Sequence, residues 1–175
     1  MRFAFLLIVL TFLLGCSKDS DFIPVYAVPD DLQPIIETFV GEAASRGFSV
    51  EITNLIIAYD ETLPITHCGQ CNSTALNVNI QKIITINPNI QCWFSAQERE
   101  AFLFHELGHC ILGRLHDSTL LPSGDPKSIM IQGNLILYAP CVYFVGDDKC
   151  NNTFKRPYYL DELFDEGTSV PEWGK

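Results

Sequence analysis

The pentapeptide His105-Glu106-Leu107-Gly108-His109 constrains this chain more than any other feature. Residues four apart share one face of an α-helix, so two imidazoles at 105 and 109 can aim at one point if the segment is helical. The flanking residues agree. Ser95-Ala96-Gln97-Glu98 matches a capping box, in which serine and glutamate satisfy free amides at a helix start. Gly113 suits a helix end. The pattern predicts a helix over residues 96–112. Its chemistry is that of a metal site, with His105 and His109 as ligands and Glu106 beside the ion as general base. A surface helix with incidental histidines is the bland alternative. Against it, three of the four histidines fall at positions 105, 109 and 116.

A catalytic zinc usually keeps three protein ligands and an open position for water. His116, beyond the Gly113 turn, is the favoured third ligand, because neutral imidazole is the commoner donor in such a set. Asp117 is the alternative, either as the ligand itself or as an acceptor that orients His116. His67 beside Cys68 reads as a loop histidine, with an extra ligand as the weaker alternative.

Elsewhere, Asp30 or Asp31 can cap a helix with apolar positions Leu32, Ile35, Ile36, Phe39, Val40 and Ala43, stopped at Gly47. Residues 48–59 are rich in β-branched side chains and predict a strand, its later part buried on both faces. Residues 64–73 read as a loop. Residues 75–80 and 82–86 read as strands, ended by Asn87-Pro88-Asn89. Pro157 can open a last helix through Tyr158, Leu160, Leu163 and Phe164. No internal repeat or second domain is marked. The order of elements implies an α+β domain over residues 29–175.

Met1 and Arg2 make a basic start, residues 3–14 are apolar apart from Thr11, and Gly15-Cys16 precedes the polar run 17–21. This describes an export signal over residues 1–15, too short to span a bilayer, which needs ~20 residues. Leu13-Leu14-Gly15-Cys16 resembles the lipobox of bacterial lipoproteins, which implies a lipidated Cys16 and a tether over residues 16–28. Removing the signal leaves 160 of 175 residues, enough for a core, and takes the formal charge from −10 to −11. Such an acidic body disfavours nucleic acid as a partner. Beyond Cys16, six of the seven cysteines remain, and an even number in an exported chain favours disulfides. The spacing leaves their connectivity open. Cys141 and Cys150 would close a short loop and are the preferred pair. Cys68-Gly69-Gln70-Cys71 also allows a metal or redox reading, but neither a second such motif nor a thioredoxin-like context accompanies it.

His105-Glu106-x-x-His109, Gly113-x-x-His116 and then Ser128-Ile129-Met130 resemble the metzincins, which carry HExxHxxGxxH followed by a methionine turn beneath the metal. The resemblance implies a zincin domain with a small mixed sheet, an active-site helix and a C-terminal helix. It implies zinc on His105, His109 and His116, Glu106 as general base and Met130 as the Met-turn residue. Residues 131–138 would border a substrate side-chain pocket, and a strand before the helix, 75–80 or 82–86, could pair with an extended substrate. Two departures stand out. Gly113 and His116 each lie one residue late, so either the helix extends or its turn bulges. The tyrosine that some metzincins place two residues after the methionine is Gln132 here. His-Glu-Leu-Gly-His-Cys, His-Asp, Ser-Ile-Met and Tyr158-Tyr159-Leu160-Asp161-Glu162-Leu163-Phe164 further resemble a group of bacterial lipoprotein metallopeptidases. The implied protein is a monomeric zinc endopeptidase acting on peptides or proteins. It would be lipid-anchored to the outer membrane of a bacterial envelope, periplasmic or surface-exposed. Residues 17–21 loosely resemble the acidic surface-export signals of some lipoproteins. The alternatives are an anchored zinc-containing binding lipoprotein without activity, and a disulfide-stabilised adhesin or inhibitor without metal.

Overall fold

A computed structural model describes residues 22–72, 79–133, 136–141 and 150–175. The export signal, Cys16, most of the strand expected over 75–80 and part of 131–138 lie outside the described residues. Within them the chain forms a small mixed α+β domain: a four-stranded sheet with three α-helices. No helix among the described residues is long and apolar enough to cross a membrane.

The strands are β1 (Tyr26–Ala27), β2 (Leu55–Tyr59), β3 (Gly69–Cys71) and β4 (Ile83–Ile86), in the order β1-β2-β4-β3. β1, β2 and β4 are parallel, and β3 runs antiparallel to β4 at the edge. Leu55, Ile57, Ile84 and Ile86 alternate onto one face and are buried, whereas Ala58 and Tyr59 are exposed. β2 is therefore covered on one face, not on both, and it is shorter than the 48–59 strand expected. β1 offers only two residues to pair with, and its register begins at Leu55. Tyr26 and Ala27 belong to the sheet, although the sequence places them in a tether. Gln81 grips the backbone of Val25 just before them, donating to its carbonyl and accepting from its amide, each at 2.9 Å.

Helix α1 (Gln33–Ser45) buries Ile36, Phe39 and Ala43. Leu32 occupies its N-cap without a side-chain bond, so neither aspartate caps it. Asp31 instead accepts from Arg99 and from the Tyr59 hydroxyl, tying the start of α1 to the sheet and the next helix. Gly47 closes α1 with φ 81°, as expected. Helix α2 (Ala96–Leu107) is nearly buried all round. Ser95 accepts from the Glu98 amide (3.1 Å), but Glu98 reaches back to the amide of Phe94 (2.7 Å), one residue before the cap. The last helix, α3 (Arg156–Phe164), packs Tyr158, Tyr159, Leu160 and Leu163 into the core. Disulfides join Cys68 to Cys92, Cys71 to Cys110 and Cys141 to Cys150, the last being the pair preferred from spacing. The Cys68-x-x-Cys71 thiols are thus tied to two different partners.

Candidate metal centre

α2 does not end at Leu107. It widens into a π-helical turn, Gly108–Leu112, and Gly113 then reverses the chain with φ 71°. The late glycine and the late histidine of the sequence pattern are explained by this widened turn. His105 lies on the last turn of α2, His109 within the π-helical turn, and His116 on the irregular segment after Gly113. Their Nε2 atoms are 3.1, 3.1 and 3.3 Å apart. His105 is buried, His109 half-buried and His116 exposed.

Hydrogen bonding at the far side of the rings fixes which atoms the near side presents. His105 Nδ1 donates to the carbonyl of Ile129 at 2.8 Å, and His109 Nδ1 to that of Arg114 at 2.7 Å. With the proton on Nδ1, each Nε2 presents a lone pair to the same point, which is repulsive unless a cation sits there. Nitrogen ligands at ~2.0–2.1 Å in a tetrahedral array lie about 3.3 Å apart, close to the spacing observed. These three histidines could therefore hold a metal ion. Burial drives the His105 pKa down to about 4 and lowers that of His109, so these two rings favour the neutral, ligand-competent form at pH 7 without metal.

Glu106, only 5% exposed, faces the same cleft. Burial raises its pKa to about 7, opposed by a hydrogen bond from the backbone amide of Cys71 in β3. Its Oε2 has no hydrogen-bond partner among the described residues. An acceptor held on one oxygen and open on the other suits a proton carrier. Asp117 is not part of the cluster. Its carboxylate takes the Thr119 amide at 2.9 Å and lies 3.4 Å from Lys127 Nζ, so of the two candidates His116 completes the set. Met130 is fully buried beneath the site, where a Cβ on Gly108 would come within 2.5 Å of its Sδ. That glycine is needed for the close approach.

A cleft of about 950 Å³ opens over these groups, lined by β3 and by Gln132, Gly133 and Ile136 among others. His67 lines it but joins no metal-ligand cluster among the described residues. β4 lies inside the sheet, so residues 82–86 are not an edge. Among the described residues the outer strand next to β4 is β3, which the sequence places in a loop. The Asn72 amide donates to Ile83 and the Asn87 amide to Cys68. By antiparallel alternation the backbone groups of Gly69 and Cys71 then turn away from β4, and Cys71 N–H meets Glu106. β3 fits here because Gly69 has no Cβ; one would come within 2.4 Å of the Phe102 ring. Sequence reasoning did not single out Arg114 and gave no role to Ser128 or Glu162, which stand behind the histidines. Glu162 stands in the 158–164 segment that carries the resemblance, and its own signal was a charge four residues from Tyr158, on the apolar face of α3. Compared with known proteins, the chain matches no family model, no curated protein and no solved structure.

Proposed function

We propose that this chain is a zinc endopeptidase of metzincin type that cleaves extended peptides at a bacterial envelope. The observation that carries the reading is the convergence of three imidazole Nε2 atoms within 3.3 Å beside a buried glutamate with one open oxygen. Met130 packed under Gly108 adds the feature expected beneath a metzincin metal. Three histidines without thiolate or further carboxylate favour zinc and leave a coordination position open. Bound there, zinc would lower the pKa of a water towards ~7 and polarise a carbonyl.

The residues divide the remaining work. An extended peptide would lie along β3, the outer strand beside the cleft, setting its scissile bond across the cleft floor. Glu106 Oε2 takes the proton of the attacking water and delivers it to the departing amine nitrogen. The Cys71 amide keeps the other Glu106 oxygen in place during both transfers. Ile136 and Leu115, exposed at 58% and 77%, border the cleft and offer apolar contacts to substrate side chains. Three disulfides fit an oxidising, exported location, and lipidation at Cys16 would anchor the domain to the outer membrane as a monomer.

The test is elemental analysis of the purified domain together with a peptide-library cleavage assay. One zinc per chain is expected, and Glu106→Gln should keep it while losing at least ~10²–10⁴ in rate. A domain without metal supports the adhesin or inhibitor reading. Zinc with cleavage that survives Glu106→Gln removes the mechanism, and zinc without any cleavage leaves the binding lipoprotein. Mass spectrometry of envelope protein should find an acylated Cys16 at the N-terminus.

A further inference from the structure

Behind the histidines lies a charged pair that the reaction does not use. Glu162 of α3 is fully buried, and Arg114 is 8% exposed. Glu162 Oε1 accepts from Arg114 Nη2 at 2.6 Å, and Oε2 accepts from the Ser128 hydroxyl at 2.5 Å. Arg114 Nη1 also donates to the carbonyls of Glu162 (2.8 Å) and Leu163 (2.7 Å), which the end of α3 leaves without helical partners. Arg114 Nε faces the exposed Glu166 at 3.3 Å.

Both arms of the carboxylate lead to a histidine. Arg114 supplies the carbonyl that takes His109 Nδ1–H. Ser128 accepts the Met130 amide at 3.0 Å, fixing the turn whose Ile129 carbonyl takes His105 Nδ1–H. The Met130 carbonyl in turn receives the amide of Asp117, next to His116. Burying an ion pair is poor value for stability alone, because desolvation offsets the attraction. Here the pair joins two segments, 114–117 and 128–130, that hold the rings from behind.

We propose that Glu162 is a positioning residue that sets the orientation of His105 and His109 through Ser128 and Arg114. The proposal rests on the reading of the three histidines as metal ligands. Groups behind a metal-binding histidine commonly change affinity by about 10–100-fold when removed.

The experiment compares the unmodified mature chain with Glu162→Gln and Ser128→Ala. Three readouts are used: zinc affinity by chelator competition, the visible spectrum of the cobalt-loaded protein, and the ¹⁵N signals of the His105 and His109 rings in the metal-free protein. Glu162→Gln should weaken zinc by about 10–100-fold, alter the cobalt spectrum and perturb both ring signals. Ser128→Ala keeps the ion pair and should perturb His105 more than His109; it decides the matter by the same readouts if Glu162→Gln does not fold. Ile36→Ala in α1, remote from the network, serves as a destabilised control and should leave affinity and spectrum unchanged. Zinc affinity within twofold of the parent, with unaltered spectrum and ring signals, would overturn the proposal. If the unmodified chain binds neither metal, the metal reading fails by itself, and the metal-free ring signals still decide whether Glu162 sets the rings.

Discussion

Glu106→Gln should stabilise the metal-free protein at about pH 8 relative to its effect at about pH 4. The reason is burial: the folded chain holds the Glu106 carboxyl at about 7 against an ordinary value of 4.5. A group whose pKa is raised by folding contributes stability below its unfolded value and loses it as pH rises through the folded one. Ionising Glu106 therefore opposes folding across the window from 4.5 to about 7, by roughly 3 kcal/mol in total at 1.36 kcal/mol per unit. Glutamine has a similar shape and no titration. Its other effects are independent of pH and cancel when the variant-minus-parent difference at the two pH values is compared. His105 titrates in the opposite sense, its pKa being depressed to about 4, so it removes stability as pH falls from about 6.5. In the parent the Glu106 contribution opposes those of His105 and His109 over this window, and the variant leaves the histidine slope unopposed by Glu106. The assay is urea unfolding with chelator present and disulfides intact. A difference that is the same at both pH values would refute the claim that Glu106 is desolvated. Adding zinc should shrink the difference at pH 8, since a nearby dication stabilises the carboxylate.

Gly108→Ala drives a Cβ to within 2.5 Å of Met130 Sδ, so it should cost about 1–3 kcal/mol in chemical denaturation, and Met130→Ala in the same chain should relieve part of that. His116→Ala should weaken zinc far more than Asp117→Ala in chelator competition, because the Asp117 carboxylate is held by Thr119 and Lys127; the reverse order would make Asp117 the ligand. Replacing both Cys71 and Cys110 by alanine opens a loop of separation 39 and should cost about 4 kcal/mol by loop entropy, measured by urea unfolding, and a loss below about 1 kcal/mol would show that the bond constrains little.

The parts of the site that could be read from the sequence are those written in local spacing. His105 and His109 meet because four residues make about one turn, and Ser95 and Gly113 bound the helix by local chemistry. What could not be read depends on partners distant in the chain. β3 is three residues long and contains a glycine and a cysteine; nothing in it announces a strand until β4 lies beside it. Asp31 looks like a cap from its neighbours, yet Arg99, far along the chain, claims its carboxylate. Glu162 meets Arg114 across 48 residues, and no periodicity encodes that pairing. The disulfide pairs other than Cys141–Cys150 are long-range for the same reason.

One residue added to a regular α-helix rotates everything beyond it by about 100°. Between His109 and Gly113 this chain carries such a residue relative to HExxHxxGxxH, yet His116 still meets the other rings within 3.3 Å. The π-helical turn at Gly108–Leu112 takes up the surplus, with the Gly113 and Arg114 amides both returning to the Gly108 carbonyl. The site thus specifies an angular phase rather than a residue count. A histidine can be delivered to the same point by segments of different length, provided each extra residue is met by a widened turn and a glycine resets the direction. Spacing rules drawn from regular helices will be blind to such segments, whereas a rule written in direction and distance will find them.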